Sequence, residues 1–360
     1  MARGQLADEV VEAFIASGLP WALVPREWGG SGVTDVVAMI DILDEIAYAD
    51  GSAGWVMMAA TFGAANVSAL LEPEAAEAMV GAERRGIMVG AAAPSGRAVK
   101  VDGGFSVSGR WQFGSGANMA TTMAAGCHVF DADGEQELIA GEPRWILALV
   151  PKDQVEMLGN WDVSGLQATA SWDYEVHDAF VPASNVIELP TPVIRRTDSI
   201  VSIGFLAGVY AQHVSVALGI VRRAFAEIAK IASTKTRGGY DGPIGRSPVF
   251  LYEFAQKEAE YQAMRTYIRD SFAGAQRRAG PDGPTPADFG RLQAACSWMT
   301  QLSLDLVRWC DSWAGSSAVR LPSALSRCLN DIAVMANHLY VDRMNVVNGA
   351  GAILDSWIEE

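Results

Sequence analysis

Between Gly86 and about Pro190 the chain leaves the helical period that rules on either side, and this change constrains the fold more than any other feature. Short apolar runs at Ile87–Ala91, Gly104–Ser108, Met119–Phe130, Arg144–Val150 and Tyr174–Phe180 are separated by Gly, Pro, Asp and Asn. That is the rhythm of a small antiparallel barrel or sandwich. Before it, Asp8–Ala16, Val36–Ala49, Ala53–Leu71 and Pro73–Val80 read as helices, punctuated by Gly18-Leu19-Pro20 and Gly51-Ser52. After it come four long helical segments: Ser202–Ser233, Ser247 or Pro248 to about Arg278, Pro286–Trp313, and Ser323 to about Ala350. The run Gly280-Pro281-Asp282-Gly283-Pro284 separates the second from the third, since neither Gly nor Pro continues a helix comfortably. An α+β protein, mainly α, is expected: an N-terminal helical domain (1–85), a central small antiparallel β-domain (86–193) and a C-terminal four-helix bundle (194–360).

Composition narrows the functions. Half of the 360 residues are hydrophobic, enough for a sizeable core, and the net charge of −15 excludes nucleic acid and anionic membrane surfaces as partners. Cys127, Cys296, Cys310 and Cys328 form no CxxC pair, and His128, His177, His213 and His338 have no metal-ligand spacing, so no metal is expected. GxSxG and GxxxxGK motifs are absent, and Gly349-Ala350-Gly351 lacks the third glycine and preceding strand of a nicotinamide site. The longest apolar runs, such as Val214–Val221, read as too short to span a bilayer, and the early acids Asp8, Glu9 and Glu12 speak against a signal peptide. A cytoplasmic protein is expected.

Within the central region the stretch Gly109-Arg110-Trp111-Gln112-Phe113-Gly114-Ser115-Gly116 carries chemistry. Trp111 and Phe113 offer flat apolar surface, the glycines allow close backbone approach, and Ser115 with nearby N–H groups can bond the edge of a planar heterocycle. A flavin ring asks for such a combination. Core aromatics beside a turn would produce the same spacing.

The order helices, β-domain, helical bundle, with this segment at its centre, resembles the acyl-CoA dehydrogenase superfamily. Further motifs carry the resemblance: Val24-Pro25-Arg26-Glu27-Trp28-Gly29-Gly30, Asp50-Gly51-Ser52-Ala53-Gly54-Trp55, and Trp161-Asp162-Val163-Ser164-Gly165-Leu166 through Thr169-Ala170-Ser171 to Phe180-Val181-Pro182, which matches a strand pair closing the β-domain. They look most like the two-component flavin-dependent monooxygenase branch. The resemblance implies a flavin between β-domain and bundle, held by Trp111, Phe113, Ser115, Gly116 and Ser171 on one loop set and by Ala92 and Pro94 in a facing loop. It also implies reduced FMN or FAD delivered by a separate flavin reductase, O2 as co-substrate, a small-molecule substrate and a homotetramer.

Dehydrogenases of the superfamily need a carboxylate base in the last helices, and Asn345-Val346-Val347-Asn348-Gly349-Ala350-Gly351 carries none. Instead the chain has Arg327, Asp331 and His338. On a continuous helix Asp331 stands roughly 40° and His338 roughly 20° from Arg327, so the three share a face, with Arg327 and Asp331 spaced to pair. They are equally the solvated side of an amphipathic helix, opposite Leu329, Ile332, Ala336, Leu339 and Tyr340. The resemblance implies catalytic roles for His338, Asp331, Arg327 and Ser115: His338 to deprotonate the substrate or manage the proton of a C4a-hydroperoxyflavin, Ser115 to bond the flavin N5. Phenol-hydroxylating relatives place a His near Gly63, whose absence here points to a bulkier, indole-like or heteroatom substrate, with Gly63 enlarging the pocket. His213 reads as a bundle-face residue. The alternatives are an acyl-CoA dehydrogenase-like FAD enzyme and a flavin-free scaffold of the same fold.

Overall fold

A computed structural model of the chain describes residues 4–280 and 283–358; Pro281 and Asp282 of the expected helix breaker lie outside them. Helices come first: α1 (Asp8–Ser17), α2 (Val36–Ala49), α3 (Gly51–Leu70) and α4 (Pro73–Val80). Nine strands follow: β1 (Met88–Val101), β2 (Gly104–Gly114), β3 (Thr122–Phe130), β4 (Leu138–Ile139), β5 (Glu142–Pro143), β6 (Trp145–Pro151), β7 (Glu156–Met157), β8 (Trp172–Pro182) and β9 (Val186–Leu189). The remainder is helical: α5 (Phe205–Thr234), α6 (Pro248–Arg278), α7 (Pro286–Ala314), α8 (Ser316–Val319), α9 (Ala324–Met335) and α10 (Arg343–Ile358). The mainly helical α+β class is the one expected.

These elements gather into two compact units that cut across the three expected domains. One takes the described residues through Asp35 with Val56–Asp162 and Gln167–Gly208; the other takes Val36–Trp55, Val163–Leu166 and the described residues from Val209 onward.

In the first unit seven strands form one sheet in the order β7-β8-β2-β1-β3-β6-β9, with β4 and β5 paired apart. The sheet is mixed and not wholly antiparallel, because β1 and β3 run parallel. After a β1–β2 hairpin closed at Gly103, in the left-handed region at φ 77°, an antiparallel meander would place β3 beside β2; here β8 takes that edge and β3 pairs with the far edge of β1. The expected closing strand pair is a single strand, β8, preceded by irregular chain from Leu158 to Ser171. Leu166 (φ 51°) and Ala170 (φ 46°) bend that stretch through a region that side-chain-bearing residues rarely occupy.

Gly63 does not enlarge a pocket. A Cβ there would overlap the Met88 carbonyl oxygen, so the glycine is what lets α3 lie on the first residue of β1. Two helices, α3 and α5, do pass the length and apolarity test for a bilayer span, contrary to the expectation from uninterrupted runs, because Gly, Ser and Thr within them barely lower the mean hydropathy. In each, 83% of the apolar window is buried inside the protein, as in core helices.

In the second unit the expected last helix is two. Helix α9 stops at Met335, a 3-10 turn spans Leu339–Val341, and α10 begins at Arg343. Gly349 in α10 meets Gly290 in α7 closely: a Cβ on Gly349 would stand 2.6 Å from the Gly290 Cα. Gly349 of the Gly-Ala-Gly run therefore serves a tight helix crossing.

Gly63→Ala is expected to destabilise the protein by about 1–3 kcal/mol in urea denaturation, as overpacking does. Gly351→Ala, where no atom lies within 4 Å of the added Cβ, should be neutral or mildly stabilising. Equal effects from the two would contradict the packing role of Gly63.

Candidate active site

The aromatic Gly-Ser-Gly segment ends β2 and divides its residues by function. Trp111 is wholly buried, its indole N–H donates to the Gly126 carbonyl at 2.7 Å, and its ring stacks on Tyr174 at 5.5 Å. Gly96 supplies the space, since a Cβ there would collide with the indole. The expected flavin wall at Trp111 is thus corrected: this ring is spent on the sheet interior. Phe113, two residues on, takes φ 64° and leaves its ring 63% exposed, edge-on to Trp161 at 6.2 Å.

Beside Phe113 three hydroxyls form a chain. Ser115 Oγ lies 2.8 Å from Ser171 Oγ, which lies 2.7 Å from Thr169 Oγ1. Gly116, at φ 81°, donates its N–H to the Thr169 carbonyl at 2.7 Å, tying the two segments together. Thr169 and Ser171 are buried while Ser115 keeps partial exposure. Ala92 and Pro94 stand on the irregular stretch of β1 between Ala91 and Gly96; the Ala92 carbonyl accepts from Trp145 Nε1 at 2.9 Å. Hydroxyl donors, a bare aromatic ring and an irregular strand in one unit fit the edge and face of an isoalloxazine.

His338 is not on the helix that carries Arg327 and Asp331. It caps the 3-10 turn with extended backbone (φ −71°, ψ 143°), and its Nδ1 accepts the Tyr340 N–H at 3.3 Å. The shared helical face expected for the three residues does not exist. Nor is His338 solvated: burial pushes its pKa down to about 4. Its ring lies 5.5 Å from Trp55, 4.7 Å from Tyr340 and 5.6 Å from His213. A neutral imidazole whose Nδ1 receives a backbone N–H carries its own hydrogen on Nε2. His338 is therefore a hydrogen-bond donor at neutral pH and has no spare lone pair for use as a base. Among the described residues no carboxylate pairs with it.

His213, expected on a bundle face, is 1% exposed, and burial followed by the neighbouring His338 pushes its pKa down to about 3. Together with Trp55 and Tyr340 it is a site feature that the sequence left unmarked, because only tertiary packing brings α5 to this turn.

Asp331 and Arg327 also separate. Arg327 Nε approaches Asp50 at 3.6 Å, whereas Asp331 is buried and accepts the Leu166 N–H at 2.6 Å. Gly165 and Gly51 let the backbone come this close, their absent Cβ positions falling on Asn330 and on the Asp331 carboxyl. The expected Arg327–Asp331 pair gives way because the carboxyl turns inward to a strained backbone. Elsewhere, Glu156, Glu175 and His177 offer ligand atoms within 4.8 Å of one another, but Glu156 and His177 are exposed and Arg110 is already 3.5 Å from Glu175.

The family model for the C-terminal domain of acyl-CoA dehydrogenases matches residues 211–343. Indole-3-acetate monooxygenase of Pseudomonas putida is 28% identical over 356 residues, covering 97% of this chain and 87% of its own. The flavin-dependent monooxygenase oxygenase subunit HsaA of Mycobacterium tuberculosis is 30% identical over 245 residues, 62% of this chain and 60% of that one. XiaF from Streptomyces, solved with FADH2 and glycerol, shares the fold at a TM-score of 0.84 and 20% identity, covering 99% of this chain and 89% of XiaF. Residues 211–343 therefore match the acyl-CoA dehydrogenase C-terminal domain, and the whole chain shares its fold with XiaF. Two of these relatives are named as monooxygenases, one of them as a flavin-dependent oxygenase subunit.

Asp331 yields a stability test. Burial raises its pKa to about 7, with Asp50 adding to the rise and the Leu166 N–H and Arg327 opposing it. An acid that holds its proton more tightly when folded contributes least stability when ionised. Folding should therefore weaken as pH rises from the unfolded value near 3.9 to about 7, by about 1.4 kcal/mol per pH unit at most. Asp331→Asn keeps an acceptor for Leu166 without ionising. Its stability relative to the parent should grow across that window in urea titrations; parallel curves would contradict the assignment.

Proposed function

We propose that the protein is the oxygenase component of a two-component monooxygenase that uses reduced flavin and O2 to oxygenate a planar aromatic small molecule. The observation that carries this reading is the neutral, caged His338 imidazole in the terminal helices, where a dehydrogenase keeps a carboxylate base. The names of the curated relatives support the reaction type, and the term oxygenase subunit supports a separate flavin reductase.

Bound reduced flavin together with O2 supplies the electrophilic oxygen atom. The chain supplies the setting. Ser115, backed by Ser171 and Thr169, presents a hydroxyl to the ring edge, and the exposed Phe113 ring excludes water beside it. His338 holds a proton at Nε2, where it can stabilise negative charge developing on an oxygen without itself ionising. Asp331 and Arg327 act at a distance from the chemistry, Asp331 by fixing the backbone at Leu166.

The same reading makes the protein a cytoplasmic homotetramer that accepts FMN or FAD. In support, Val347, Leu354, Trp357 and Ile358 leave α10 with an uncovered apolar stripe of the kind that subunit contacts bury.

Supplied with photoreduced flavin and 18O2, the protein should place one 18O atom in indole-3-acetate or a related aromatic. His338→Ala should lower that yield on the order of 10²–10³-fold, the scale of a lost charge-stabilising donor, and divert reduced flavin to hydrogen peroxide while flavin affinity holds. Incorporation unchanged in the variant would remove His338 from the site. Anaerobic bleaching of bound oxidised flavin by an acyl-CoA would replace the monooxygenase reading with a dehydrogenase.

A further inference from the structure

His213 sits on α5 with nothing exposed beyond 1% of its surface, and only one of its ring nitrogens is used. Its Nε2 lies 3.4 Å from Thr300 Oγ1. The Thr300 hydroxyl has a single hydrogen, which it gives to the Cys296 carbonyl at 2.8 Å, so that oxygen can only accept from the imidazole. His213 is therefore the Nε2–H tautomer. Its Nδ1 is a bare lone pair, buried, with no hydrogen-bond partner among the described residues. Such an atom is costly to leave unmade and calls for a donor.

The neighbours of the His213 ring are aromatic. Trp55 lies 5.7 Å away, edge-on at 77°, and His338 lies 5.6 Å away, tilted by 41°. His338 and Tyr340 keep partial exposure, whereas Trp55 and His213 are buried. The two imidazoles are complementary: His338 presents an N–H at Nε2, whereas His213 presents an acceptor at Nδ1. No carboxylate or cation bonds either ring among the described residues, and burial keeps both neutral at physiological pH.

We infer that His213 is a specificity-determining residue whose Nδ1 accepts a hydrogen bond from a ring N–H or O–H of the substrate, selecting aromatic molecules that carry such a donor over isosteres that lack it. The inference rests on the monooxygenase reading and narrows its substrate class. A site built around an acceptor rejects a molecule that leaves the acceptor unpaired far more strongly than it rejects a small change in apolar size. It also gives the imidazole missing near Gly63 a counterpart on another helix.

The test is equilibrium binding of matched probes, indole against indene and phenol against toluene, by calorimetry on the full-length protein. At least one donor-bearing probe should bind about tenfold or more tightly than its partner, and His213→Phe should remove that preference while leaving the affinity of the donor-free probe unchanged. In the unmutated protein labelled with 15N-histidine, the His213 Nδ1 resonance should shift on adding the preferred probe, an outcome that does not require the variant to fold. Equal affinities within both pairs, or a preference that survives in a folded His213→Phe, would overturn the inference. Oxygen incorporation measured separately keeps the two readings apart: 18O transfer without donor selectivity sinks this inference alone.

Discussion

The bond from the Tyr340 N–H to His338 Nδ1 organises the functional end of this protein. It caps the 3-10 turn that separates α9 from α10. It also sets the imidazole's state. Once Nδ1 is an acceptor, the neutral ring has its hydrogen on Nε2, and protonating Nδ1 would require breaking the bond and charging a buried ring. Both costs point the same way, which is why the ring remains a donor through the physiological range. A continuous helix would have kept His338 on the Arg327 face.

Close backbone approach does comparable service elsewhere. Gly63 against Met88 and Gly349 against Gly290 bring main chain to main chain where any side chain would hold the elements apart. In the sheet, Gly96 makes a slot that takes the Trp111 indole, and Phe113 is left as the exposed aromatic of the segment. The hydroxyl chain of Ser115, Ser171 and Thr169 then lies beside an exposed ring, with Gly116 bonded to Thr169 to hold the two segments in register.

Much of this was legible in the residues. Helical period, turn residues and the Gly-Ser-Gly segment placed the helices, the strands and the loop with Ser115 and Ser171. Four features were not legible, each for a physical reason. Parallel pairing of β1 with β3 depends on which strand fills each hydrogen-bonding edge, and alternation says nothing of that. Burial of Trp111 follows from strand register, where one residue decides which face is core. The break at His338 lacks a Gly or Pro to announce it, and the apolar spacing continues through it. His213 carried no local signal, since an imidazole at a helical position becomes a site residue only through what packs against it.

The central claim is the state of one ring, and long-range 1H–15N correlation of 15N-histidine-labelled protein reads it directly, with His338→Gln to assign the peaks. Between about pH 5 and 8 the account predicts a neutral His338 with protonated Nε2, bare Nδ1 and resonances that do not move. A hydrogen on Nδ1, or a titration centred near the ordinary value of about 6.5, would contradict it.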